Sequence, residues 1–173
     1  MKLIEFDGQD FKIADEAFLV RPIRELFQND KSKTKEEFWK QMSYLWFMCD
    51  PRSTYMYLVD ENARAKEIKI QEGLGEDWNP SELLREAMDI YRKHTITTAA
   101  ILLEGMRKGI DKLSAFLGDT AITDKTVASM TSALRQIPEL SRALVEAEKA
   151  LAKDFAADDK ARGTASKAIG EDI

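Results

Sequence analysis

The stretch Thr34 to Pro51, TKEEFWKQMSYLWFMCDP, constrains the fold more than any other. Thr34 and Glu37 stand in the S/T-x-x-E relation of a capping box, in which each side chain satisfies a backbone N–H at the start of a helix. Phe38, Met42, Leu45 and Cys49 then recur at spacings of four, three and four, which places them on one helical face. Trp39, Trp46 and Phe47 widen that face beyond a single stripe, so this helix must be covered on more than one side. Asp50 ends it, because a residue before proline is pushed out of the α region.

The rest of the chain offers mostly other helices to do the covering. Pro22 suits the first turn of a short helix to Gln28, where its missing N–H is not needed. A charged helix is expected from Asp60 to Glu72, largely exposed, with Gly73 and Gly75 ending it. Asn79 as N-cap and Pro80 at the first position open a further helix. Its pattern runs on to about Leu117, with Leu84, Met88, Tyr91, Thr95, Thr98, Leu102, Gly105, Gly109, Leu113 and Phe116 as its inner stripe. The TITT run and the two glycines are where it would bend or break. A last helix, capped by Thr123 or Asp124, reaches about Phe155. Val127, Met130, Leu134 and Ile137 form its first stripe, a kink is expected near Pro138, and Leu140, Leu144, Ala147 and Leu151 continue beyond. In the first twenty residues, KLIEF alternates weakly enough for a short strand, and FKIADEAFLV reads as strand or helix.

Thirteen of the fifteen aromatic residues lie at or before Tyr91. The expected fold is therefore mostly α: a compact, aromatic-rich helical front half with long amphipathic helices behind it and an extended C-terminal tail. One helical domain over residues 1–155, with 1–20 as an arm, is long enough to bury a core. Residues 156–173 lack large apolar side chains until Ile169 and Ile173, too few to offset the entropy of ordering alone. Those two isoleucines are read as anchors on a neighbouring molecule.

The chemistry-bearing residues are sparse. A metal site usually needs converging His or Cys, and the chain has one of each, His94 and Cys49. His94 reads as an exposed helical residue, and Cys49 as a small core hydrophobe. EGLGED has too few glycines for a phosphate loop and no Lys-Ser/Thr after it. No catalytic residue and no cofactor are expected. A net charge of −5 argues against a free-standing nucleic-acid binder. With no apolar run of about 18 residues, no membrane-spanning helix is expected. Arg52 and Arg64 flank STYMY with its Tyr55 and Tyr57. Arginine beside tyrosine suits a subunit interface and equally suits local packing.

Residues 20–95 resemble a segment of small virion proteins of crAss-like and related tailed bacteriophages. The resemblance rests on Asp30, Lys31, Ser32, Lys33 and Lys35 in a polar turn, then Tyr44, Trp46 and Phe47 in the aromatic helix. Ser53 and Tyr55 follow, then Glu61 and Arg64, and last Trp78, Pro80, Ala87 and Tyr91. Gln28-Asn29 replaces a charged pair of that pattern, and Thr34 replaces its usual acid. The resemblance implies a head-to-tail connector, a neck ring subunit joining portal to tail around the DNA channel. Its partners would be copies of itself in a cyclic homo-oligomer, the portal, adjacent tail or ring proteins, and packaged DNA passing without sequence-specific contact. It would reside in the virion, and in the host cytoplasm during assembly. Another virion role, as packaged cargo or tail component, is the alternative, and a cytoplasmic helical regulator or adaptor is one from a different class.

Overall fold

The computed structural model describes residues 3–6 and 11–169, the side chains of 5–6 and 158–169 excepted. The chain is mostly α, and it divides into two units, Met1–Ile96 and Thr97–Ile173. That boundary falls inside the stretch expected to form one domain over 1–155.

The front unit opens with two three-residue strands, β1 (Ile4–Phe6) and β2 (Phe11–Ile13), paired antiparallel with Ile4 opposite Ile13. A 3₁₀ turn over Asp15–Leu19 leads into α1 (Arg21–Asn29), with Pro22 in its first turn. Then come α2 (Glu36–Cys49), a 3₁₀ turn (Thr54–Tyr57), α3 (Glu61–Gln71) and α4 (Glu82–Thr95). Helix α2 is the centre of the unit. Phe38, Met42 and Leu45 are fully buried, and every residue from Tyr44 to Cys49 is buried. Around it pack Leu3, Ile4, Ile23, Leu26, Ile68, Leu84, Met88 and Tyr91. This is the two-sided covering that the wide apolar face demands. Trp39 lies at its edge, 38% exposed.

Two helix starts differ from the sequence expectation. The N-cap of α2 is Lys35, in the left-handed region at φ 55°, and Thr34 makes no cap: its hydroxyl binds the Glu36 carboxylate instead. The N-cap of α4 is Ser81, whose hydroxyl accepts the Leu84 N–H at 3.1 Å, while Asn79 binds Lys69 and the Asp77 carbonyl. Helix α3 ends as expected, in a Schellman arrangement. Gly73 takes φ 65°, and the Leu74 N–H reaches the Lys69 carbonyl at 3.0 Å.

The second unit is an antiparallel hairpin of α5 (Thr98–Asp119) and α6 (Val127–Ile169). Ala100 and Leu103 pack against Ala147 and Leu151, and Arg107 pairs with Glu148 at 3.2 Å. The long helix expected from Pro80 to Leu117 is thus two helices. Ile96 is extended, and the Thr97 hydroxyl caps α5 by accepting the Ala100 N–H at 3.1 Å. The interruption resets the helical phase. Leu84, Met88, Tyr91 and Thr95 are buried as the stripe requires, but beyond the break Thr98, Leu102, Gly105, Gly109 and Phe116 are exposed and only Leu113 is half-buried. The inner face of α5 is carried instead by Ala100, Leu103, Met106 and Ile110. On α6 Val127, Leu134 and Ile137 are exposed, Met130 is half-buried and Ala133 is buried, while the stripe beyond Pro138 holds, with Leu140 and Leu144 half-buried and Ala147 and Leu151 buried.

Helix α6 continues past Phe155 to Ile169 with Pro138 inside it, so the backbone of the segment expected as a tail is helical as far as Ile169. The side chain of Ile169 and the whole of Ile173 lie outside the described residues. Among the described residues no helix is long and apolar enough to cross a membrane.

Candidate functional site

The polar residues singled out in the sequence converge on the two ends of α2. At its start, the DKSKTK turn performs the capping that Thr34 was expected to perform. Asp30 accepts the Ser32 N–H with one oxygen at 2.8 Å and the Phe38 N–H with the other at 3.0 Å. The Ser32 hydroxyl accepts the Glu36 N–H at 3.3 Å. Two N–H groups that α2 cannot satisfy itself therefore find oxygens upstream. The Phe38 hydrogen bond, followed by those from Ser32, lowers the Asp30 carboxyl from its ordinary 3.8 to about 2. Lys35 folds back over the Phe27 ring, its ammonium 4.6 Å from the centroid, and donates to the Phe27 and Asp30 carbonyls. A cation there sits at the negative end of α1, so one side chain closes one helix while its own backbone opens the next.

At the other end of α2, Asp50 is a fully buried acid. Arg52 grips it in a two-pronged pair, Nε to Oδ1 at 2.8 Å and Nη2 to Oδ2 at 2.7 Å. Asp50 Oδ1 also accepts the Arg52 N–H at 2.9 Å, and the Tyr91 hydroxyl from α4 donates to Oδ2 at 2.6 Å. Burial, and then the Asp50 charge, push the Tyr91 phenol well above its ordinary value, so it stays a donor. The Ser53 hydroxyl donates to the Phe47 carbonyl at 2.8 Å and accepts from the Tyr55 N–H at 3.2 Å. Arg64, buried on α3, donates from Nε and Nη2 to the Leu58 carbonyl at 2.9 and 2.7 Å, and from Nη1 to the Met48 carbonyl at 3.2 Å. One guanidinium thus ties the end of α2, the loop and α3 together.

Of the interface candidates, Trp46 and Phe47 are buried. Both pack edge-on against Phe11, and Phe47 also meets Tyr55 at a centroid distance of 5.0 Å. The Tyr55 hydroxyl donates to Glu72 at 2.8 Å. For Arg52 and Arg64, local packing is the geometry found. Tyr57 alone of this group is open, at 64% exposure.

The sequence reading missed Asp50 as the hub, treating it only as a helix stop. The signal was there: an acid before proline, an arginine two residues on, and a tyrosine with no obvious partner in a later apolar stripe. His94 is exposed on α4. Burial pushes the Cys49 thiol up to about 12, far from nucleophilic ionisation. Among the described residues no group of His, Cys, Asp and Glu could hold a metal ion. A cleft of about 890 Å³ opens between α3 and the start of α4, lined by Lys66, Lys69 and Arg85 together with Glu76 and Tyr44.

What this arrangement does chemically is hold. Lys35, Arg52 and Arg64 are paired with carboxylates or carbonyls of the same unit, the Ser32 and Ser53 hydroxyls serve backbone groups, and the Tyr55 and Tyr91 hydroxyls serve carboxylates. Comparison with protein-family models, curated proteins and solved structures finds no match to this chain.

Proposed function

We propose that this chain is a non-catalytic assembly subunit, best read as a head-to-tail connector ring protein of a tailed-phage virion. The observation that carries the assembly reading is the exposed apolar surface of the α5–α6 hairpin. Ile101, Leu102 and Phe116 on α5, and Val127, Leu134 and Val145 on α6, are between 38% and 58% exposed. Large exposed apolar surfaces mark places where another molecule sits. The connector role adds the sequence resemblance over residues 20–95, whose polar residues are here joints of a rigid scaffold. A rigid scaffold bearing an unsatisfied helical hairpin suits a subunit that must keep its shape while docking neighbours. In this reading its partners are its own copies, the portal and adjacent tail or ring proteins, with DNA passing through the channel.

The test is localisation in purified particles. Antibody or tag labelling viewed by electron microscopy should mark the vertex between head and tail. Label along the tail shaft or inside the head would favour the tail or cargo role. Particles lacking the protein altogether would overturn the virion reading.

A further inference from the structure

Helix α3 sorts its charges by face. Its lysines, Lys66 and Lys69, both line the cleft between α3 and the start of α4. Its acids are engaged elsewhere. Glu61 meets Arg92 at 3.5 Å, Glu67 accepts from the Gln71 amide at 2.8 Å, and Glu72, at the end of the helix, accepts from the Tyr55 hydroxyl at 2.8 Å. Lys66 and Lys69 stand three apart, so they are neighbours on the helix surface. An acid four residues from Lys66 would neutralise it, but those positions hold Asn62 and Ile70. A like-charge pair of this kind mildly destabilises a helix, so the stability of α3 does not explain it.

Helix α4 brings a third cation to the same cleft, Arg85. Two of its acidic neighbours also turn away: Glu86 lies 3.9 Å from Arg21 and Asp89 lies 4.0 Å from Arg92. Among the described residues no carboxylate pairs with Lys66 or Arg85. Lys69 is committed in part, its ammonium reaching Asn79 Oδ1 at 3.2 Å and the Glu76 carbonyl at 3.5 Å. The lining thus holds three cations against one carboxylate, Glu76, in a chain whose net charge is −5. A concave site of one sign concentrates ligands of the other.

The cleft also has the size and the mixed lining of a small-molecule site. Its volume of about 890 Å³ falls in the usual range of roughly 300–1,000 Å³. Tyr44 is buried and meets Trp78 edge-on at 4.7 Å, and with Ala65, Ile70 and Pro80 it supplies apolar surface. The Asn62 and Asn79 amides supply both donors and acceptors.

We propose that this cleft binds a mononucleotide, its phosphate held between Lys66 and Arg85 and its base on the apolar surface around Tyr44. A phosphomonoester carries a charge of about −1.5 to −2 at neutral pH, which two uncommitted cations match. The arginine fork grips two phosphate oxygens at once, and the lysine adds a point charge. A nucleic-acid strand is disfavoured, because a backbone continuing past the cleft would meet Glu76 and, close by in sequence, Glu72, Asp77 and Glu82. The inference goes beyond the assembly reading and does not depend on it.

The test is isothermal titration calorimetry of the full-length chain with the 5′-monophosphates AMP, GMP, CMP and UMP, and with adenosine and inorganic phosphate as controls. At least one mononucleotide should bind with a Kd below about 1 mM. Both controls should bind at least tenfold more weakly, and added salt should weaken the nucleotide. K66Q and R85Q should each weaken binding about tenfold, and K66Q/R85Q should abolish it. Both positions are exposed, so the unfolding midpoint should hold. E76Q removes the one opposing carboxylate and should tighten binding several-fold, a gain that a poorly folded variant cannot give. No mononucleotide binding at about 1 mM would overturn the proposal. So would adenosine binding as tightly as AMP, or binding that survives in K66Q/R85Q. A single-stranded DNA oligonucleotide that binds tighter than every mononucleotide, and loses that binding in K66Q/R85Q, would make the cleft part of a nucleic-acid track and would overturn it too.

Discussion

The front unit and the hairpin are built from the same material, amphipathic helices, yet their apolar residues meet different fates. In the front unit α2 is covered by α1, α3, α4 and the strand pair, and eighteen described residues form its buried cluster. In the hairpin α5 and α6 pack on each other, and the buried cluster there is four described residues. Two helices touch along one seam, so a helix with apolar residues over a wide arc must leave some uncovered. Helical periodicity tells which face is apolar and does not tell what covers it. The front unit buries its apolar face within itself, and the hairpin leaves large apolar side chains exposed.

The largest break in this comparison should come from Asp50→Ala. It removes the buried acceptor of Arg52 and Tyr91 and leaves the guanidinium without its carboxylate. Loss of one partner of such a pair costs about 3–5 kcal/mol. All three tryptophans, Trp39, Trp46 and Trp78, lie in the front unit, so fluorescence-detected denaturation reads that unit alone. A loss under about 1 kcal/mol would mean the hub is not what joins α2 to α4.

One substitution made in both regions compares them directly. Leu45 is fully buried, and Leu45→Ala should cost about 2–5 kcal/mol. Leu134 is more than half exposed, and Leu134→Ala should cost no more than about 0.5 kcal/mol in the monomer. Similar losses in both would mean the hairpin has a core of its own and would erase the distinction.

A subtler change is Arg64→Lys, which keeps the charge and loses the fork. A lysine ammonium cannot reproduce the planar geometry that serves the Leu58 and Met48 carbonyls together. Leaving a buried carbonyl unsatisfied costs about 1–3 kcal/mol. The midpoint of fluorescence-detected unfolding should fall accordingly. An unchanged midpoint would show that charge alone holds the loop.

These regions also differ in how legible they were. Helix α2 was readable because its apolar spacing and the Asp50–Pro51 stop are local signals. The break at Ile96–Thr97 was harder. TITT marked a weak point, but only the closed structure shows that Thr97 caps a new helix, and that single event moved the predicted stripe of α5, Leu113 excepted, from core to surface. The capping of α2 was misplaced for a related reason. Thr34 and Glu37 match a capping box, but the Asp30 side chain reaches the Phe38 N–H from eight residues upstream. A local motif cannot reveal a competitor that arrives through a turn. Asp50 was overlooked because its partner Tyr91 is forty-one residues away.

The smallest effect concerns Asp30, and it sharpens the comparison by confining a pH response to the front unit. The folded-state value of Asp30 lies at about 2, below the ordinary 3.8 expected when unfolded, chiefly because of the Phe38 N–H. Its contribution is therefore complete above about pH 4 and is lost as pH falls from 3.8 through about 2. Asp30→Asn removes the ionisation and keeps a side-chain oxygen. The variant should be less stable than the wild type above about pH 4, and the gap should narrow steadily as pH falls toward 2, because only the wild type takes up a proton there. Urea unfolding followed by tryptophan fluorescence at several pH values measures the gap in the front unit. A gap that stays constant across the window would show that Asp30 caps α2 as a hydrogen-bond acceptor alone, without the charge. A gap that narrows would show that the turn joining α1 to α2 depends on the charge of a carboxylate facing the positive end of α2, where it accepts the Phe38 N–H.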